Sequence, residues 1–365
     1  TYAGTAGCPL KKGDGSDNIT VSEASDKALA AAKALASSLG AIINTAAPEV
    51  PDALPVRPET AEGALDRAGT ISLLIYHNKV NAYINKNTVS TGALNVTVRN
   101  TDDLSADADA SAVTAADGAA AAAALISAET LAKAYVTGVH SAASMNILSG
   151  MTKTLDEQSN PVDAVNSVSS EVQSGAGAAV PQVAGALAIV VYSPVYEALA
   201  GNGSSEPAVI TLGTGDSSIK AEQSTDLSVY AGAETGTSGV SLKSGTVGYG
   251  PGFAADFFEP SVKALICTGS SITSEGNVSV TSSTENNIKA SASAGNDCFS
   301  GNQTVTDAAV ALNMINSAAQ AEVETGASLT TDGSLELTSY GKTGAYAETK
   351  GAAQAANVMA GASTA

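Results

Sequence analysis

The 365-residue chain has no tryptophan, 4 phenylalanines, 4 methionines, 3 cysteines and 2 histidines, and only Arg57, Arg67 and Arg99 as arginines. Each shortage excludes something. A compact domain of this length fills its middle with leucine and aromatic rings, whereas aromatics make up 4% of this chain. Three arginines leave few anchors for bidentate recognition of phosphate or carboxylate. Acidic side chains number 36 against 17 basic ones, and the net charge of -19 repels a nucleic-acid backbone. His77 and His140, with no C-x-x-C motif, cannot complete a His-rich metal site. No apolar run reaches the roughly 18 to 20 residues of a membrane span. The richest, Gly185 to Tyr192, is less than half as long. A hydrophobic fraction of 44% against 15% charged also excludes a solvated disordered chain.

What is abundant is Ala, Gly, Ser, Thr, Val and Ile. Small and β-branched side chains suit a thin core, such as that of a parallel β-solenoid. A short segment in which apolar and polar residues alternate recurs, usually just after Gly or Asp: Asn18–Ser22, Gly92–Val98, Met145–Leu148, Asp226–Tyr230, Gly276–Thr281 and Gly333–Thr338. Alternation with period two marks a half-buried strand. A second unit precedes most of these segments: an apolar run, a polar break, then Ala followed by an apolar or aromatic pair. It appears as Ile71–Tyr76 with Ala82–Ile84, Ala122–Ile126 with Ala134–Val136, and Leu187–Tyr192 with Ala198–Leu199. Two further copies are Ala255–Phe258 with Ala264–Ile266, and Ala309–Ile315 with Ala321–Val323. The segment Ala264–Thr281 aligns without a gap on Ala321–Thr338, sharing its glycines and most apolar positions. These are irregular repeats of about 50–80 residues.

Such a repeat cannot bury its apolar faces alone, and stacking about 4.8 Å apart supplies the missing partner. The expected fold is all-β, a parallel β-helix with short helices as its only other element, in a single solenoid domain over 1–365 behind an N-terminal segment 1–16. At roughly 20 to 25 residues per coil, the chain would make about 15 coils in a rod on the order of 70 Å long. Ser25 to Leu39 favours helix by propensity, with Gly40 as its stop. The Ala-rich piece from Ser105 to Val136 reads equally as helix or as tightly packed strands. Segments 44–68, with Pro48, Pro51, Pro55 and Pro58, and 151–182, ending near Pro181, read as insertions on one flank.

The order of these units resembles the repeats of large secreted bacterial filamentous adhesins, the haemagglutinin-like and leukotoxin-type surface proteins. Ala82-Tyr-Ile84 with Leu94–Val98 carries the likeness, as does Ala264-Leu-Ile266 with Gly276–Val280, and it spans about Asp17 to Gly351. The resemblance implies export, a right-handed β-helix, and a role in adhesion or extracellular matrix. This chain is shorter than such adhesins and shows no secretion domain, which favours a processed building block.

Thr1 reads as an N-terminus left by a removed leader, with a trimmed fragment as the alternative. Cys267 and Cys298 fall in one repeat, where stacked coils would bring them together as a disulfide. Cys8 would then be left to cross-link a neighbour, and three inert buried thiols are the alternative. Asp102, Asp103, Asp107 and Asp109 cluster, as do Asp14 and Asp17, and Ca2+ is the ion such oxygens would take. Ser25 stands where a calcium-binding EF-hand starting at Asp14 needs its bidentate Glu, so solvated turns are the simpler account. Gly248–Gly252 reads as a turn, not a phosphate cradle, and Thr281 and Thr330 are too irregularly placed for a threonine ladder. Sequons at Asn18, Asn95, Asn202, Asn277 and Asn302 are what this composition produces by chance. No catalytic residue and no cofactor are assigned. The expected function is an extracellular structural subunit that polymerises end to end with itself, its acidic hydroxylated surface resisting lateral clumping. An adhesin fragment whose flank loops bind a surface glycan is the alternative, ahead of a polysaccharide-active enzyme.

Overall fold

The computed structural model describes residues 10–11, 18–19, 67–114, 118–155, 161–178, 182–203, 205–235, 247–296, 304–353 and 358–364. The chain divides into two units, Thr1–Arg67 and Ala68–Ala365. In the first, β1 (Leu10–Lys11) and β2 (Asn18–Ile19) pair antiparallel, so Asn18–Ile19 does not open a parallel stack. The expected helix Ser25–Leu39 and most of segment 44–68 lie outside the described residues, as do Cys8, Asp14 and Cys298.

The second unit is all-β, and among its described residues there is no helix. Each repeat supplies a long strand, a short one and another long one to three parallel sheets. The first layer is β3 (Arg67–Ile84), β4 (Thr88–Val89), β5 (Ala93–Arg99) and β6 (Asp103–Thr114). The second is β7 (Gly118–Val136), β8 (Gly138–Ala142) and β9 (Ser144–Gly150), the hairpin β10 (Lys153–Leu155) and β11 (Pro161–Asp163), then β12 (Asn166–Ala178). The third is β13 (Gln182–Ala200), β14 (Ala208–Leu212) and β15 (Ser217–Thr235). The fourth is β16 (Val247–Phe258), β17 (Ser261–Ile266), β18 (Ser271–Ser274) and β19 (Val278–Asn296). The fifth is β20 (Thr304–Ile315), β21 (Ala318–Val323), β22 (Ser328–Thr331) and β23 (Leu335–Ala353), after which β24 (Val358–Thr364) pairs with β20.

Equivalent strands are direct neighbours. Sheet one holds β3, β7, β13, β16 with β17, β20 with β21, and β24; sheet two is β4-β8-β14-β18-β22. Sheet three holds β5 and β6, β9 and β12, β15, β19 and β23. The recurring alanines are partners in the ladder: Ala134 with Ala198, Ala198 with Ala264, and Ala264 with Ala321. One repeat is therefore one layer, and the coil of 20 to 25 residues is corrected. Sheet two contains 5 strands, one for each layer, so the stack rises only roughly 20 Å, while a strand of 19 residues extends roughly 60 Å. The short coil failed because the polar break after each apolar run does not end a strand in β3, β7 or β13. Ser105 to Val136, left open between helix and strand, is strand in β6 and β7, and among the described residues of the insertion 151–182 the hairpin leaves the sheets while β12 is an integral strand of sheet three.

The interior has two parts. At one end sheet one faces sheet three across a thin core built largely of alanine, including Ala106, Ala108, Ala124, Ala188, Ala231 and Ala292. At the other end all three sheets enclose a wider core with Val96, Ile147, Ile210, Ile219, Ile266 and Val280. The thin end explains the composition, since small side chains let two backbones approach. Gly252 on β16 is the limit: a Cβ there would lie 2.5 Å from the Ser293 carbonyl oxygen and 3.1 Å from that of Ala231. At the corner between sheets two and three, a Cβ on Gly276 would lie 2.6 Å from the Gly215 carbonyl oxygen, and one on Gly333 would lie 2.7 Å from the Gly276 carbonyl carbon. Glycine before the recurring strand is thus a stacking requirement.

Candidate functional site

Between the two cores runs a buried polar seam. On sheet three it is one inward column: Asn166 pairs with Thr225, Thr225 with Asn286, and Asn286 with Thr343. Asp102 precedes Asn166 in this column, and its backbone N–H donates to Asn166 Oδ1 at 2.9 Å. Asn166 Nδ2 donates to Thr225 Oγ1 at 3.4 Å and Asn286 Nδ2 to Thr343 Oγ1 at 3.2 Å, so the bonds run from layer to layer. Thr284 Oγ1 donates to Gln223 Oε1 at 2.6 Å, and Gln223 Nε2 donates to Thr225 Oγ1.

Asp102 is the hub. Its carboxylate is buried and accepts from Tyr192 Oη at 2.8 Å, Thr130 Oγ1 at 2.6 Å, Asn100 Nδ2 at 3.1 Å and Tyr76 Oη at 3.2 Å. Donors converge on it from both long sheets, because Tyr76, Thr130 and Tyr192 belong to sheet one. Tyr196 Oη reaches the Asn100 carbonyl at 3.2 Å and Asn166 Oδ1 at 3.3 Å. The sequence reading missed this seam, although Asn100 and Asp102 carry a signal: they continue the inward parity of Val96, Val98, Leu104 and Ala106. A buried hydrogen-bonded network holds strands in one register, since a slip of one residue would aim every member at solvent.

Burial pushes the Tyr196 phenol up to about 12 and raises that of Tyr192 further, with the neighbouring Asp102 charge acting in the same direction. A phenol whose folded value is raised binds its proton more tightly in the fold. That stability is complete below pH 10 and is lost as pH rises through the folded values. We therefore expect cooperative unfolding on alkaline titration, with the tyrosinate absorbance of Tyr192 and Tyr196 appearing only as circular dichroism falls. Tyrosinate signal from these two residues before unfolding would contradict it.

The residues singled out from sequence are dispersed. Asp103, Asp107 and Asp109 point outward on β6, away from inward Asp102. Ser105 Oγ donates to Asp107 Oδ2 at 3.0 Å, and the Glu171 N–H donates to Asp107 Oδ1 at 3.3 Å. Among the described residues no three His, Cys, Asp or Glu side chains converge as a metal cage. His77 pairs with Glu129 at 3.3 Å on the surface, while buried His140 places Nε2 2.9 Å from the Thr137 carbonyl oxygen. Cys267 is a free, buried thiol, and burial pushes its pKa up. It sits in the turn between β17 and β18, and its expected partner Cys298 lies outside the described residues. The hairpin β10–β11 is tied down by Arg99, whose Nη1 donates to the Met151 carbonyl at 2.7 Å and lies 3.5 Å from Asp163 Oδ1. The threonines do form a ladder: Thr211, Thr273 and Thr330 are partners on the outward face of sheet two.

Two surfaces stand out. The first is the edge formed by β21, β22 and β23, the last strands of their sheet paths. Leu335 and Leu337 keep the parity of Val278 and Val280, yet are 48% and 43% exposed where those are 2% and 0%. The second is the outer face of sheet one at its thin end. There Leu187 and Leu312 are 39% and 36% exposed and Phe253 and Val310 half-buried, while Ile189 and Ala255 between them are buried. Ile71, Leu73 and Ile75 in β3 are exposed on the same sheet. Apolar residues on both faces explain why these strands read as continuous runs instead of alternating. They also revise the expectation of a uniformly polar surface. Among the described residues no helix is long and apolar enough to cross a membrane. Comparison with protein-family models, with curated proteins and with solved structures finds no match, and the functional reading rests on this geometry.

Proposed function

We propose that the chain is an extracellular structural subunit, a right-handed parallel β-helix that assembles end to end into a fibre. The exposed edge of the fifth layer carries this reading. Core leucines continue to that edge, where no polar cap lies over them among the described residues, and β23 offers a strand of 19 residues for pairing. An uncovered edge of this length templates another strand. A further layer from a second copy would bury Leu335 and Leu337 as the fifth layer buries Val278 and Val280. The handedness follows the near-universal right-handed crossover between parallel strands. The extracellular setting rests on the likeness to filamentous adhesins carried by Ala82–Ile84, Leu94–Val98 and Ala264–Val280.

Exposed Ile71, Leu73 and Ile75 on β3 offer sheet one a small apolar patch for lateral contact between fibres.

Electron microscopy of the purified chain tests the assembly. Fibres are expected in the unmodified protein, with a doubly substituted Leu335→Lys, Leu337→Lys chain remaining as folded monomers. Both positions are already solvent-exposed, so the substitutions should change thermal stability by less than about 0.5 kcal/mol. Discrete monomers of the unmodified protein at all concentrations would defeat the reading.

A further inference from the structure

Three buried side-chain oxygens without a hydrogen-bond partner belong to two residues that are neighbours in one ladder. Asp256 on β16 is 0% exposed, and neither of its carboxyl oxygens has a partner. Its direct neighbour in the next layer is Asn313 on β20. Asn313 Nδ2 donates to the Tyr346 carbonyl at 3.0 Å, which fixes the amide orientation and leaves Oδ1 as the free acceptor. That Oδ1 is also buried without a partner.

Two acceptors cannot bond to each other, and an unpaired carboxylate in such a place carries a large desolvation cost. A carboxylic acid resolves both problems, because its O–H donates to the amide oxygen. We propose that Asp256 is protonated in the folded chain and donates to Asn313 Oδ1, an acid–amide bond that locks the fifth layer to the fourth and releases when the proton leaves.

The surroundings favour the neutral acid. On β13 the ladder partner of Asp256 is Val190, and the nearest inward titratable group there is Tyr192, whose hydroxyl is committed to Asp102. Across the thin core, β15 presents Leu227, Val229 and Ala231, and β19 presents Ile288, Ala290 and Ala292. Lys220, Asp226 and Tyr230 on β15, and Glu285 and Lys289 on β19, have the opposite parity and point outward. On β20 the inward neighbours of Asn313 are Ala311 and Ile315, and Tyr346 on β23 contributes only its carbonyl. No cation faces the carboxyl among these residues. Burial accordingly pushes Asp256 up to about 7.

The direction follows. The unfolded carboxyl titrates near 3.9, so between about pH 4 and pH 7 the folded chain holds one proton more. The lock is complete below that window and is lost as pH rises through 7. Within the window the folding equilibrium constant falls by up to tenfold per pH unit on account of this residue. This inference stands whether or not the chain forms fibres.

The full chain is tested by urea unfolding from pH 4 to 8, beside Asp256→Asn and Asn313→Leu, and by infrared spectroscopy. Asp256→Asn is expected to lose this slope and to exceed the unmodified chain in stability at pH 8. Asn313→Leu, which removes the acceptor, is expected to lower the pH at which the slope ends. Amide protection factors in β20 to β23, corrected for the intrinsic base catalysis of exchange, should fall at pH 8 in the unmodified chain and not in Asp256→Asn. Stability curves for Asp256→Asn that parallel the unmodified chain at every pH would overturn the proposal. If a variant fails to fold, infrared spectra of the unmodified chain decide: a protonated-carboxyl band at pH 6 that bleaches by pH 8 supports the lock, and its absence overturns it.

Discussion

Asp102→Ala is expected to lower the unfolding free energy by about 3 to 5 kcal/mol, among the largest losses any single side chain here would cause. Five donors converge on this carboxylate, from Tyr192, Thr130, Asn100, Tyr76 and, at 3.5 Å, Asn78. Alanine strands them, and each buried donor left unpaired costs about 1 to 3 kcal/mol, softened where water enters the vacated space. Two comparisons separate this cause from simple cavity formation. Asp102→Asn keeps one acceptor oxygen and the side-chain shape, and should lose less than the alanine variant. Tyr192→Phe removes one donor and leaves the carboxylate with four, for a loss of about 1 kcal/mol. Equilibrium denaturation of the three variants at neutral pH supplies the ranking. An alanine variant within about 1 kcal/mol of the unmodified chain would mean that the seam is ornamental.

Gly252→Val should be comparably severe, at about 3 kcal/mol, for a reason unrelated to hydrogen bonding. The obstacle at 2.5 Å is the backbone carbonyl of Ser293 on the facing sheet, with that of Ala231 close behind. A rotating side chain could yield, but a carbonyl held in a parallel ladder moves only if the two sheets part. Parting them uncouples the alanine columns around Ala231 and Ala292, whose contacts depend on close approach. Thermal unfolding of Gly252→Val beside Gly185→Val makes the check, because nothing lies within 4 Å of a Cβ at Gly185. Equal losses at the two positions would refute the close-approach account.

Much of this was readable in advance. Aligning Ala134, Ala198, Ala264 and Ala321 by their flanking apolar pairs reproduces the ladder partners residue for residue. The gapless match of Ala264–Thr281 to Ala321–Thr338 runs through the same corner, from Ile272 against Leu329 to Val280 against Leu337. Both succeed because stacking places like on like, so a repeat in sequence is a neighbour in space. Coil length was not readable, because Ser193 and Pro194 look like a strand end yet lie within β13. Nor was the role of Asp102, which looked like one of four clustered acids until the facing sheet brought Tyr192 and Thr130 to it.

Composition and period-two alternation are local properties, and they were enough for an all-β chain, parallel pairing and the register of its repeats. A thin interior followed from the scarcity of large side chains. Which sheet opposes which is a long-range matter, and it made Gly252 indispensable and gathered the polar seam between two cores. Those features depend on groups from strands far apart in the chain, whose meeting no window of neighbouring residues encodes.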